Sequence, residues 1–159
     1  MSWRMPQSPP GPAGGGFRDR ARVNLLLYAH VTAFPEHAGA RRWWEGLMNG
    51  TREVGVAAPA LFGFVRLVSN PRVLDRPLPV EHALARVEEW LARPHVFFVQ
   101  PGPQHLRVAF DLLRHVGTAA NLTTDAQLAA LAIEYQGEVH SNDRDFGRFP
   151  RLRWVNPLA

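Results

Sequence analysis

Cysteine and lysine are both absent from this chain of 159 residues, and each absence excludes something. Without cysteine there are no disulfides, thiolate metal sites or thiol nucleophiles, a usage that suits a reducing compartment. Without lysine all 18 basic residues are arginine, which never deprotonates, so a high pI overstates how basic the chain is. Four of those arginines, against one aspartate, lie in residues 1–22; fourteen face thirteen acids in the rest. The body is nearly neutral, and charge alone announces no nucleic-acid-binding face. No apolar run is long enough to span a bilayer and none resembles a signal peptide, so the expectation is a cytoplasmic protein with no membrane. A glycine-rich phosphate loop, a serine nucleophile elbow and an HExxH motif are missing too. The seven histidines show no metal-ligand spacing, and His82, His95, His105 and His115 are scattered over helices and loops, so they are read as structural.

What is present suits one domain with a real core. Met1 to Arg22 is the exception: rich in proline and glycine, with Pro9-Pro10-Gly11-Pro12 and Gly14-Gly15-Gly16, it reads as a flexible tail. Val23 to Tyr28 is a continuous apolar run and is expected to be a strand buried on both faces. A helix follows, with Pro35 at its first position, Ala40, Trp43, Trp44, Leu47 and Met48 on one face, and a stop at Asn49-Gly50. Val54 to Ala57 is a strand, Pro59 opens a helix through Val68, and Val80, Leu84, Val87 and Leu91 mark another. Val96 to Val99 is a strand, and a helix through Leu106, Phe110 and Leu113 closes at Gly117. Thr124-Asp125-Ala126-Gln127 reads as a capping box opening a helix that Gly137 ends; Glu138 to Ser141 and Leu152 to Val155 are the last strands. Strands alternating with helices argue for a three-layer α/β sandwich with a mostly parallel central sheet. Trp43-Trp44 fits packing best, with one ring left for a partner as the alternative.

In such sheets the functional crevice lies beyond the carboxyl ends of the strands. Asp125 at a helix start and Asp143 and Asp145 just past a strand fall there, where carboxylates can gather around a divalent cation. Each has an ordinary reading as well: a first-turn acid offsets the helix dipole, and aspartates form turns and caps. Ser141 would hydrogen-bond a ligating carboxylate or a phosphate, or cap the strand end locally. Arg144, Arg148, Arg151 and Arg153 form a basic cluster that serves as a solvated surface or as a phosphodiester clamp.

Four ordered blocks add a resemblance. Val23 to His30, Gly63 to Val73, Thr124 to Ala132 and Asn142 to Phe149 together resemble PIN-domain proteins of the VapC toxin type, and the likeness runs from about Val23 to Leu158. It implies a PIN-like α/β/α sandwich over residues 23–159. It further implies a Mg²⁺- or Mn²⁺-dependent endoribonuclease that hydrolyses RNA phosphodiester bonds, the toxin of a toxin-antitoxin pair, inhibited by a small VapB-like antitoxin and usually homodimeric. Carried over, Asp125 and Asp143 are the metal ligands, Asp145 a supporting catalytic acid, and Ser141 and Asn24 hydrogen-bonding support. Two positions depart. Gly63 stands where many PIN domains carry Glu, and Arg22 stands where the first metal-binding Asp should precede Val23-Asn24. A guanidinium there pairs with Asp125 or Asp143 in competition with a cation. The alternative function is therefore a catalytically impaired PIN domain that mainly binds its antitoxin, and a third is an α/β binding module without phosphodiester chemistry.

Overall fold

The computed structural model describes Arg4–Met5 and residues 25–159. The apolar run expected as a strand is instead a helix, α1 (Leu25–His30). An unbroken apolar run has no period to separate buried strand from buried helix. Here every side is covered, Leu25, Leu26 and Leu27 being fully buried. The His30 ring donates from Nδ1 to the Leu26 carbonyl at 2.7 Å, and His37 Nδ1 donates to the Tyr28 carbonyl at 2.8 Å. The bond from His37 meets a carbonyl in the last turn of a short buried helix, where intrahelical donors run out.

Helix α2 (His37–Asn49) begins after Pro35, which sits in the preceding turn rather than at the first helical position. It stops where expected, before Gly50, where a Cβ would lie 2.8 Å from the Gly46 carbonyl. Strand β2 (Val54–Ala57), helices α3 (Ala58–Val68) and α4 (Val80–Leu91), strand β3 (Val96–Val99) and helix α5 (His105–Val116) follow the hydrophobic pattern. Gly117 closes α5 at φ 80°, a left-handed conformation that glycine adopts without a steric penalty.

A 3₁₀ turn, Ala120–Leu122, leads directly into α6 (Thr123–Glu134). The expected capping box does not form. Leu122 is the N-cap, no side chain caps the helix, and Gln127 donates forward-to-back to the Thr123 carbonyl at 3.3 Å. Because the 3₁₀ turn already supplies helical geometry, Thr124 lies inside the helix, where its hydroxyl cannot act as an N-cap. The far end also differs: Gln136, not Gly137, takes the left-handed conformation (φ 55°). The Gly137 amide reaches the Ala132 carbonyl and the Gln136 amide the Ile133 carbonyl, the bond pair of a Schellman motif.

Strands β4 (Glu138–His140) and β5 (Arg153–Val155) flank a second 3₁₀ turn, Arg144–Arg148. All pairings are parallel: β2 with β3, and β4 with β5. The other side of β4 is taken by β1 (Arg4–Met5), in register Arg4↔Glu138 and Met5↔Val139, and β1 runs close to β2 as well. Two residues of the segment expected to be a flexible tail are thus sheet residues. The remainder of that segment, with Arg22 and Asn24, lies outside the described residues.

Two cores result. The first packs α1, α2, α3 and α4 around Trp44, Phe64 and Trp90; the second packs α5 and α6 against the sheet around Leu112, Leu128, Val139 and Phe146. The strands fall into a three-stranded sheet, β1-β4-β5, and a two-stranded one, β2-β3, each parallel, and Asp143 and Asp145 follow the carboxyl end of β4.

Candidate metal centre

The loop after β4 is shaped by one buried serine. Ser141 is fully buried; its amide donates to the Val155 carbonyl at 3.0 Å, its carbonyl accepts from Trp154 Nε1 at 2.9 Å, and its Oγ accepts from the Asp143 amide at 2.9 Å. Three bonds leave the backbone little freedom between strand and loop. Asp143 then caps the 3₁₀ turn, its Oδ1 accepting from the Asp145 amide at 2.9 Å. Phe146, fully buried in the second core, anchors that turn. Gly147 lets it close on the sheet, since a Cβ there would meet the Trp154 ring at 3.3 Å. The ordinary role of Asp143 as a cap is realised, and it leaves the second carboxylate oxygen outside that bond.

Asp125 comes from the first turn of α6 and is buried. Its helix is alanine-rich on the inward side: Ala126, Ala129, Ala130 and Ala132 are all fully buried. Small side chains let α6 lie close to the sheet, which carries Asp125 toward the β4 loop. Among the described residues, Asp125, Asp143 and Asp145 gather so that one carboxylate oxygen from each lies within 4.8 Å of the other two. The helix dipole favours negative charge at the Asp125 position. Arg148 supplies partial compensation, its Nη1 lying 3.7 Å from Asp145 Oδ1.

The donor set fits a hard divalent cation: three carboxylates, no sulfur and no imidazole. One further oxygen is available in the same loop. Asn142 Oδ1, next to Asp143, is buried and has no hydrogen-bond partner, a condition that costs free energy unless something meets it.

Of the basic cluster, Arg144, Arg148, Arg151 and Arg153 are all exposed, and Arg148 alone approaches an acid of the site. Arg153 instead donates to the Gln136 carbonyl at the far end of α6. Gly63 is buried on α3. Neither tryptophan of the pair is left for a partner: Trp44 is buried, and Trp43 is half-buried with its Nε1 donating to His140 Nδ1 at 2.8 Å. The bond from Trp154 to Ser141, the bond from Trp43 to His140 and the buried oxygen of Asn142 were not legible in the sequence. The one available signal was adjacency, since His140 and Asn142 flank Ser141 and Trp154 lies on the last expected strand.

Residues 24–152 match the model of the PIN domain. The chain belongs to the PIN-domain family. Its relatives are specific: it is 52% identical to Ribonuclease VapC33 of Mycobacterium tuberculosis over 136 residues, covering 86% of this chain and 95% of that protein. It is 43% identical to Ribonuclease VapC37 of the same organism over 137 residues, again 86% and 95%. Among solved structures, VapBC2 from Rickettsia felis bound to a DNA fragment from their promoter aligns with a TM-score of 0.60 at 15% identity, covering 98% of each chain. At that identity the likeness concerns the fold, and it agrees with the α/β arrangement above. The resemblance of the four blocks to VapC-type PIN domains is thereby confirmed.

Proposed function

We propose that this PIN domain is a metal-dependent endoribonuclease acting as the toxin of a toxin-antitoxin pair, with RNA phosphodiester bonds as its substrate. The observation that carries the reading is the meeting of Asp125, Asp143 and Asp145 at the carboxyl edge of a parallel sheet. Asp125 and Asp143 would hold Mg²⁺ or Mn²⁺, and such an ion supplies Lewis-acid polarisation of the phosphodiester and acidified water. Asp145, steadied by Arg148, adds negative charge to the site and an acceptor for water. Ser141 sets the direction of Asp143, and Asn24 is assigned a supporting hydrogen bond. The exposed Arg144, Arg148 and Arg151 offer charge-assisted hydrogen bonds to the phosphates of an approaching strand.

A small VapB-like antitoxin is the proposed inhibitor, consistent with the VapBC complexes among the solved structures similar to this chain. A homodimer in the cytoplasm is the proposed working form. Phe62 on α3 and Leu106 and Phe110 on α5, all exposed, supply apolar surface that a second copy would cover. Among the described residues, no helix is long and apolar enough to cross a membrane.

A second reading, the impaired nuclease that retains antitoxin binding, is favoured by Arg22, which stands where the resemblance implies the first metal-binding acid. Mn²⁺-dependent cleavage of a mixed RNA pool separates the two, with Arg22→Asp and Asp125→Ala measured beside the unaltered chain. Cleavage by the unaltered chain that drops by roughly two to three orders of magnitude in Asp125→Ala supports the active toxin. Cleavage restricted to Arg22→Asp marks a disabled one.

A further inference from the structure

His140 lies at the end of β4, one residue ahead of Ser141, and is almost completely buried. Its two ring nitrogens have different partners. Nδ1 is 2.8 Å from Trp43 Nε1, and an indole nitrogen only donates, so Nδ1 accepts. Nε2 is 3.0 Å from Glu138 Oε1, a carboxylate that only accepts, so Nε2 carries the proton. Arg52 Nη2 approaches the same Glu138 oxygen at 4.0 Å. The two bonds define one neutral tautomer, because a proton at Nδ1 would break the bond to Trp43.

The bonds also join parts of the molecule that the two cores keep apart. Trp43 belongs to α2 and packs against the first core, touching the Trp44 ring at 5.5 Å; Val139, beside His140, is in the second. From His140 the chain of fixed contacts runs through Ser141, held on three atoms, to Asp143 and on to the Asp145 amide. Nothing in the assignment of the acids as ligands calls for a histidine here, and a valine would serve a buried strand end equally well on packing grounds.

We propose that His140 is the positioning residue of the acid-bearing loop: as a neutral Nε2–H imidazole clasped between Trp43 and Glu138, it ties the carboxyl end of β4 to α2 and so fixes where Asp143 stands relative to Asp125. The proposal rests on the reading of these acids as ion-holding. Hydrogen-bonding partners behind a ligand typically contribute about 10- to 100-fold to metal affinity, and His140 acts one step further back, so the lower figure applies.

The test is Mn²⁺ affinity of the purified full chain by calorimetry, with the melting temperature in the absence of metal, for Trp43→Phe, His140→Leu and His140→Asn. Trp43→Phe keeps an aromatic ring in place but loses the indole N–H; it should bind Mn²⁺ about tenfold more weakly at temperatures where it is folded. His140→Leu should behave alike, whereas His140→Asn, whose Oδ1 still accepts from Trp43, should hold near-unaltered affinity. Should Trp43→Phe fail to fold, the two His140 variants make the same comparison. Lower melting temperatures with unchanged affinity would reduce His140 to a packing residue and overturn the proposal. So would equal loss in His140→Asn and His140→Leu, or ¹⁵N spectra showing the His140 proton on Nδ1. If the unaltered chain shows no Mn²⁺ binding that Asp125→Ala abolishes, the ion reading itself fails and takes this proposal with it. That result is distinct from binding in the unaltered chain that the Trp43 and His140 variants leave intact.

Discussion

The two cores of the domain are built from different materials, and the difference follows what each has to do. In the first, Trp90 meets Phe64, Trp44 and His30 at ring-centroid distances of 4.8, 5.0 and 5.1 Å. In the second, α6 presents Ala126, Ala129, Ala130 and Ala132 to its neighbours. Large rings bury the most apolar surface per residue and favour edge-to-face contacts. Alanines bury little each but allow a helix to approach closely, and α6 delivers Asp125. The first core carries the interlocked rings, and the second carries the helix that bears Asp125. The Trp43–His140 bond is one of the contacts that connect them.

The sharpest way to break this comparison is to hollow the first core. Trp90→Ala should cost about 3 to 5 kcal/mol of folding stability, while the molecules that remain folded bind Mn²⁺ as before. Urea unfolding followed by calorimetry below the transition measures both. A fall in affinity as large as that from Asp125→Ala would show that the cores are not separable. The reverse change belongs to the second core: Ala129→Leu should cost only about 1 to 3 kcal/mol by overpacking. It should nevertheless weaken Mn²⁺ binding more than Trp90→Ala does, because it pushes α6 away from its seat. If the affinity of Ala129→Leu equals that of the unaltered chain, close approach of α6 is not what places Asp125.

The same division explains what could be read from the sequence. Amphipathic segments such as Val80–Leu91 and His105–Val116 carry a clear helical period because one face meets water, and they were legible. The α1 residues have no wet face, so nothing in Leu25-Leu26-Leu27 distinguishes helix from strand. The start of α6 was misread because Thr124-Asp125-Ala126-Gln127 satisfies a local pattern that the preceding 3₁₀ turn overrides. The gathering of Asp125, Asp143 and Asp145 was legible from their places after a strand and at a helix start, while their assignment as ligands came from the resemblance. Of the contacts behind them, that of Ser141 was legible from its place at the strand end, whereas the Trp43–His140 bond was not: the two residues are 97 apart, and no local pattern encodes a bond of that span. Arg4–Met5, pairing with β4 from within a proline- and glycine-rich stretch, was illegible for a similar reason, its partner being remote in sequence.

Acid should weaken the first core through His30. Burial among Trp44, Phe64 and Trp90 holds the His30 pKa below the ordinary 6.5, with the charges of Arg86 and His37 adding to the effect and the bond to the Leu26 carbonyl opposing it. The unfolded chain therefore binds the proton more readily than the folded one between the lowered value and about 6.5. Stability rises with pH across that window; His30's share is fully present above it and is lost as pH falls through it. Urea midpoints of the unaltered chain should drop as pH falls below about 6.5, and His30→Phe should flatten part of that drop. An identical pH dependence in both chains would assign the acid sensitivity elsewhere.

The finest distinction can be drawn at the end of α6. Gln136 holds φ 55° at the position where helices usually place glycine, and for a side chain with a Cβ that conformation costs about 1 kcal/mol. Gln136→Gly should relieve it, against a somewhat greater loss of chain entropy on folding, for a net gain of about 0.5 kcal/mol. The Schellman bonds from Gln136 and Gly137 to Ile133 and Ala132 use backbone atoms alone and survive the substitution. Hydrogen exchange should then slow in the last turn of α6 while α1 and α4 exchange as before, since the change touches only the second core. Faster exchange in that turn would mean that the glutamine side chain contributes more than its strained backbone costs.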